Sequence, residues 1–121
     1  MKRSMFQLYI KNCDNALNFY KEAFNSDILC VYRDDNNNII HAEVNAFGQI
    51  VALSEKDEDN ISGNTMQLCF HFAAGHEEVI KKAYNILKED ARIDFQLGPS
   101  FYSPLMFSLI DKFGINWCLF I

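Results

Sequence analysis

Residues 105–121 read LMFSLIDKFGINWCLFI, in which two apolar runs flank the tetrad Asp111–Gly114. An aspartate in first place can bond the turn backbone, and a glycine in last place tolerates a positive φ, so the tetrad predicts a hairpin turn. Residues 41–55, HAEVNAFGQIVALSE, have the same design around Asn45–Gly48, 66 positions earlier. Two similar hairpins at this spacing indicate that the chain contains two copies of one unit.

The segment before the first hairpin predicts a strand, a helix and a second strand. Residues 12–24 have helical spacing, with Ala16, Phe19, Tyr20 and Ala23 on one face. Asp14 or Asn12 is expected to cap this helix by accepting from its free backbone N–H groups. The remaining predictions for this half are strands at 4–10 and 28–33, a polar turn at 34–38, and hairpin strands at 39–45 and 49–54.

The second half repeats this order. Residues 75–90 predict a helix with an apolar stripe and with two glutamates in the first turn, where the helix dipole favours them. The stripe consists of Val79, Ile80, Ala83, Tyr84 and Leu87. Strands are predicted at 66–72 and 92–97, and both prolines of the chain bound the loop 98–104, before the final hairpin. The acidic stretch 55–64 is the predicted linker between modules at about 1–56 and 64–121.

Composition limits the function classes. The chain has 121 residues, half of them apolar, which is enough for one domain with its own core. A net charge of −5 without clustered lysine or arginine argues against nucleic-acid binding. No run approaches the roughly 18 apolar residues of a membrane span, and the start lacks the features of a signal peptide. Four cysteines without CxxC spacing are typical of buried free thiols, so a cytoplasmic protein is expected.

Four segments carry a resemblance that covers nearly the whole chain. They are Asn12-Cys13 with residues 16–24, His41-Ala42-Glu43, Leu53-Ser54, and residues 111–117. With these segments the chain resembles the vicinal-oxygen-chelate (glyoxalase, bleomycin resistance, dioxygenase) superfamily, and within it the PhnB-like branch, also labelled demethylubiquinone methyltransferase-like. The resemblance implies an α+β fold of two βαβββ modules in a cupped mixed sheet, a small-molecule ligand in the cup, and a homodimer.

The chain departs from the branch in two places. Its connection before His41 is short, and Phe101-Tyr102-Ser103 stands where the branch commonly has Phe-Trp-Gly. Methyltransferase activity is not expected, because no glycine-rich strand-to-helix turn is present to hold a methyl-donor nucleotide.

Metal-dependent members of the superfamily use four positions, which the resemblance carries onto Met5, Ala52, Gln67 and Cys118. A thioether, a methyl group, an amide and a thiol do not suit a hard cation, which prefers carboxylate oxygen or imidazole ligands. We therefore predict no superfamily metal and no cofactor.

The alternation of side chains along a strand selects candidates for the cup. It places His41, Glu43 and Asn45 on one face of the third strand, and His41 and Glu43 about 6–7 Å apart. These two are the predicted catalytic pair, since a carboxylate beside an imidazole favours its protonated form and so strengthens it as a base. The alternative is that they line a wet cleft or form a surface ion pair.

Further side chains are candidate ligand contacts. Trp117 is interpreted either as a stacking platform or as core packing. The candidates are Gln7, Tyr9, Asn45, Gln67, His71, Phe101, Tyr102, Asn116, Trp117 and Cys118.

The predicted function is binding of a small organic molecule without the superfamily metal. The alternatives are a metal-dependent lyase, isomerase or dioxygenase, and a purely structural dimer module. Whether the protein is an enzyme is left open.

Overall fold

The two halves of the sequence fold as two units, Met1–Ile61 and Ser62–Ile121, and the computed structural model describes residues 1–56, 63 and 65–121 of them. Each unit contains one helix and one four-stranded mixed sheet in the order βαβββ. The predicted α+β class and the predicted element order are therefore confirmed. Most of the predicted linker, 55–64, lies outside the described residues.

The first unit consists of β1 (Phe6–Ile10), α1 (Cys13–Ala23), β2 (Ile28–Arg33), β3 (Ile39–Ala46) and β4 (Gln49–Glu55). The strands lie in the order β1-β4-β3-β2, with β1 parallel to β4 and the other pairs antiparallel. The helical stripe predicted for α1 is buried, and so are Ala42, Val44, Val51 and Leu53 on the strands that α1 contacts.

The start of α1 is stabilised differently from the prediction. Asn12 occupies the N-cap position with a left-handed φ of 62°, and its side chain makes no capping bond. Instead, the carboxylate of Glu55 accepts from the backbone N of Asn12 at 2.8 Å and of Cys13 at 3.2 Å. Asp14 is ion-paired with Arg33 at 2.6 Å. The prediction that Asn12 or Asp14 caps the helix was wrong, because the cap comes from the end of β4.

The second unit consists of β5 (Leu68–His71), α2 (Glu77–Leu87), β6 (Arg92–Gly98), β7 (Met106–Ile110) and β8 (Asn116–Phe120). Its strands lie in the order β5-β8-β7-β6, with β5 parallel to β8 and the rest antiparallel. On α2 the buried side chains are Ile80, Ala83, Tyr84 and Leu87, while Val79 at the edge of the predicted stripe is half-buried.

The two hairpins close with different turns. Between β3 and β4, Phe47 (φ 57°) and Gly48 (φ 93°) form a two-residue loop of the I′ kind, one residue later than predicted. Between β7 and β8, the amide of Gly114 donates to the carbonyl of Asp111 at 2.9 Å, as expected for the predicted tetrad. Among the described residues, neither helix is long and apolar enough to cross a membrane.

Candidate functional site

The candidate site of the first unit lies on the sheet face opposite α1. Ala42 and Val44 of β3 point towards the helix side and are fully buried, so His41 and Glu43 point to the other face. The register of β2 places Tyr32 beside His41 and Cys30 beside Glu43. We call this surface the His41 face.

Glu43 is the centre of this face. Its side chain is only 6% exposed, and its Oε1 lies 2.8 Å from Nε2 of His41. The guanidinium of Arg3 donates to both carboxylate oxygens, from Nη1 to Oε2 at 2.8 Å and from Nη2 to Oε1 at 2.9 Å. Arg3, His41 and Glu43 form what we call the charge cluster, in which the buried carboxylate has partners for both oxygens.

These contacts determine the protonation of Glu43. The hydrogen bond from Arg3, followed by that from His41, lowers the pKa of Glu43 to about 2. An ionised carboxylate accepts hydrogen bonds and cannot donate one, so the proton in the His41 contact belongs to Nε2. In a neutral imidazole, Nδ1 is then the nitrogen with a free lone pair. Glu43 itself is a weak base, and it orients His41 instead of taking a proton.

Two members of the site were missed by sequence reasoning. Arg3 precedes β1 and belongs to no periodic pattern, so only its approach to Glu43 identifies it. Cys30 was grouped with the other scattered thiols, yet its Sγ, a ring nitrogen of His41 and a carboxylate oxygen of Glu43 all lie within 4.8 Å of one another. The register between β2 and β3 was the signal that could have found it.

Other predicted contacts of the first unit are arranged around this centre. Ala52 of β4 is the register partner of both Gln7 on β1 and Glu43 on β3, so the two side chains share a face with a methyl group between them. Nε2 of Gln7 donates to Oγ of Ser54 at 3.1 Å, and Tyr9 is exposed. Asn45 is used by its own turn, where Oδ1 accepts from the amide of Gly48 at 2.7 Å.

In the second unit, one sheet face brings together amide, thiol and aromatic groups. Cys69 and Cys118 are register partners on β5 and β8, and Gln67 donates to Asn116 at 2.9 Å. His71 stacks on Phe120 with ring centroids 4.5 Å apart, and Tyr102 contacts Phe120 edge-on. Phe101 packs on Tyr102 and is otherwise exposed. We call His71, Phe101, Tyr102 and Phe120 the aromatic cluster.

Trp117 does not lie on this face. It is fully buried, and its Nε1 donates to Oδ2 of Asp111 at 2.8 Å. Its neighbours on β8 alternate with it, so Asn116 and Cys118 face the other way. Trp117 is a core residue of the hairpin, and we do not include it in the candidate site.

The side chains that the resemblance assigns to the superfamily metal positions are poor ligands for an ion. In the first unit, Ala52 is a buried methyl group, and Met5 offers only a thioether. In the second unit, Gln67 is bonded to Asn116, and burial raises the pKa of the Cys118 thiol to about 11, which opposes the thiolate form that binds metals. None of these groups is a good ligand for a hard cation.

Residues 3–119 match the sequence profile of the Glyoxalase/Bleomycin resistance protein/Dioxygenase superfamily. The chain belongs to this superfamily. No curated protein matches it.

Solved structures of this superfamily fold agree with the assignment. The PhnB protein from Bacillus cereus is 26% identical, with a TM-score of 0.81 over 99% of this chain and 98% of that one. Protein PA1353 from Pseudomonas aeruginosa is 16% identical, with a TM-score of 0.82 over 99% and 97%. The fosfomycin resistance protein FosX from Listeria monocytogenes is 15% identical, with a TM-score of 0.71 over 98% and 91%. The predicted resemblance to PhnB-like proteins is confirmed.

Proposed function

We propose that this protein binds a small organic molecule on the His41 face and needs no ion at the four superfamily positions to do so. The observation that carries the proposal is the charge cluster. A carboxylate that is 6% exposed is costly to bury unless its partners are held in place, and here both partners remain open to solvent on the side away from Glu43.

The charge cluster favours a ligand that presents an oxygen acceptor. The side chain of Arg3 is 47% exposed, and its contacts with Glu43 use two of its five N–H groups, so donors remain for a carbonyl or phenolate oxygen. His41 supplies a ring nitrogen that accepts a proton. The ring of Tyr32 lies 6.5 Å from that of His41 and offers an apolar wall for the carbon skeleton of the ligand.

The relatives support a small-molecule site without defining its chemistry. FosX from Listeria monocytogenes is a fosfomycin resistance protein, and a variant of it is complexed with Mn(II) and 1S,2S-dihydroxypropylphosphonic acid. A metal-dependent lyase, isomerase or dioxygenase is therefore the alternative for this chain. The side chains at Met5, Ala52, Gln67 and Cys118 argue against that alternative, and the homodimer stays a prediction.

The test uses full-length protein stripped of metal with a chelator. A panel of small carbonyl compounds, phenols and phosphonates is screened by thermal shift, and the affinity of each hit is measured by calorimetry. We expect hits with the stripped wild type and at least a roughly tenfold weaker affinity in Glu43→Gln, since one tenfold step corresponds to about 1.4 kcal/mol, the value of one good polar contact.

Glu89→Gln is the matched control, because Glu89 also forms an ion pair, with Lys112 at 3.1 Å, but lies exposed in the second unit. Its affinity for the same hits should equal that of the wild type. Unchanged affinity in Glu43→Gln would remove His41 and Glu43 from the site. Binding that appears only after a divalent ion is restored would favour the metal-dependent alternative.

A further inference from the structure

We infer that Cys30, His41 and Glu43 form a zinc-binding site. Their ligand atoms, one sulfur, one ring nitrogen and one carboxylate oxygen, lie within 4.8 Å of one another on two neighbouring strands. None of the three is among the residues that the resemblance assigns to the superfamily metal, which are Met5, Ala52, Gln67 and Cys118. The inference goes beyond the proposed function, because zinc itself is the probe and no organic ligand is needed.

The spacing of the three groups is close to that of a zinc centre. Zinc bonds of about 2.0–2.3 Å in tetrahedral geometry place neighbouring ligand atoms about 3.5 Å apart. Nε2 of His41 and Oε1 of Glu43 are 2.8 Å apart and would separate by less than 1 Å to admit the ion. No pair among the three groups is more than 4.8 Å apart, so Sγ of Cys30 needs a shift of about 1 Å at most.

The ligand types select zinc over harder cations. Thiolate and imidazole are the ligands of zinc and related transition metals, whereas calcium and magnesium prefer oxygen ligands alone. Three protein ligands leave a fourth position for water, as in zinc sites that bind substrates. Glu43 is buried while Cys30 and His41 are half-buried, so an ion can reach the site from solvent.

Arg3 is compatible with the ion on one of the two carboxylate oxygens. Oε1 of Glu43 is in contact with Nε2 of His41 and accepts from Nη2 of Arg3, whereas Oε2 accepts from Nη1 of Arg3. An ion bound to Oε1 replaces the bond from Nη2 of Arg3 and leaves the bond from Nη1 to Oε2 in place. That bond then holds the orientation of the carboxylate, as partners of metal ligands commonly do.

Zinc binding displaces the protons on the two ligand atoms of Cys30 and His41. The thiol of Cys30 loses its proton to solvent when sulfur binds the ion. The proton on Nε2 of His41 moves to Nδ1, or leaves if the ring is doubly protonated. Zinc uptake therefore releases at least one proton per ion, and affinity rises with pH.

The experiment titrates chelator-stripped, full-length protein with zinc in competition with a chromophoric chelator. One zinc per chain is expected, and Cys30→Ser should weaken binding by more than about 100-fold, because losing even a partner of a metal ligand costs 10- to 100-fold. Cobalt(II) serves as a spectroscopic probe. The wild type should show a thiolate-to-cobalt charge-transfer band, which Cys30→Ser abolishes.

Cys69→Ser is the matched control, since Cys69 is an exposed free thiol of the second unit. It should keep both the zinc affinity and the cobalt band. Absence of the band in the wild type, or its persistence in Cys30→Ser, would overturn the inference. Circular dichroism of each variant verifies the fold. Organic-ligand binding is measured on metal-stripped protein, so failure of the proposed function and failure of the zinc site are seen separately.

Discussion

The two units have the same element order and the same strand order, but their sheet faces carry different chemistry. The face of the first unit holds the charge cluster, in which a buried carboxylate is bonded to an arginine and a histidine. The corresponding face of the second unit holds the aromatic cluster together with thiols and amides. The two units therefore share apolar side chains on the core face of each sheet and differ in the chemistry of the other face.

The two units also differ in the contacts that stabilise their final hairpin turns and the starts of their helices. In the second unit, the carboxylate of Asp111 accepts from two turn amides and from the indole of Trp117, whereas Oδ1 of Asn45, at the corresponding position of the sequence, accepts from the amide of Gly48. In the first unit, Glu55 at the end of β4 accepts from two backbone amides at the start of α1, whereas Glu77, in the first turn of α2, contacts its own backbone amide and the amide of Gly75, the latter at 3.3 Å. The hairpin turns and helix starts of the two units therefore differ in their stabilising contacts, and the following substitutions measure the differences.

The largest difference is expected between Asp111→Ala and Asn45→Ala. The carboxylate of Asp111 is buried and accepts from the amides of Phe113 and Ile115 and from the indole of Trp117. Its removal leaves the buried indole and two part-buried amides without this acceptor, so the free energy of unfolding should fall by about 3 kcal/mol. Asn45→Ala removes one exposed bond and should cost about 0.5–1 kcal/mol.

Urea unfolding of both variants at neutral pH gives the two values. Asp111→Asn is the matched control, because it keeps one acceptor oxygen and nearly the same volume, and it should retain part of the lost stability. Equal losses in Asp111→Ala and Asn45→Ala would contradict the difference between the hairpins.

The next effect is acid sensitivity of the charge cluster. The pKa of Glu43 is lowered from 4.5 to about 2 in the folded protein, so below pH 4.5 the unfolded chain binds a proton that the folded chain does not. The stabilisation by Glu43 is complete above about pH 5 and disappears as the pH falls towards 2. Because Arg3 is half-exposed, we expect it to amount to about 1–2 kcal/mol.

The measurement compares urea unfolding of the wild type and Glu43→Gln at pH 6, 4 and 3. The glutamine variant removes the titration and keeps the shape, so the stability difference between the two proteins should shrink steadily with acid. A difference that is constant over this range would show that Glu43 is not the group that titrates.

The smallest effect separates the two helix starts. Glu55→Ala removes acceptors from two backbone amides at the start of α1 and should cost about 1 kcal/mol. Glu77→Ala, at the start of α2, should cost less than Glu55→Ala, because Glu77 contacts the amide of Gly75 at 3.3 Å and otherwise its own backbone amide. Urea unfolding checks both, and a larger loss in Glu77→Ala would reverse the assignment of the caps.

Much of the fold was predictable because it depends on local periodicity. The stripe of α1 and the alternation of Ala42 and Val44 with His41 and Glu43 follow from helix and strand geometry, and the structure agrees with both. The turn at Asp111–Gly114 was also predictable, because it depends on residues close in sequence. The turn between β3 and β4 lies one residue later than predicted. Phe47 adopts a positive φ there, which is uncommon for a residue with a bulky side chain.

The site was only partly predictable, because its members come from separate elements. His41 and Glu43 share a strand, so their proximity followed from the period of two residues. Arg3 and Cys30 approach Glu43 from the segment before β1 and from β2, across 40 and 13 positions of sequence. For Trp117, the sequence left two interpretations open, and its bond to Asp111 places it in the core.

By itself the sequence determined the two βαβββ units and the side chains on each face of their helices and strands. These properties depend on spacing along the chain and on side-chain chemistry. Only the tertiary structure decided which partners surround Glu43, where α1 finds its cap, and that Cys30 lies beside His41. Strand register and the path of the chain before β1 set those contacts, because they bring together groups that no local pattern links.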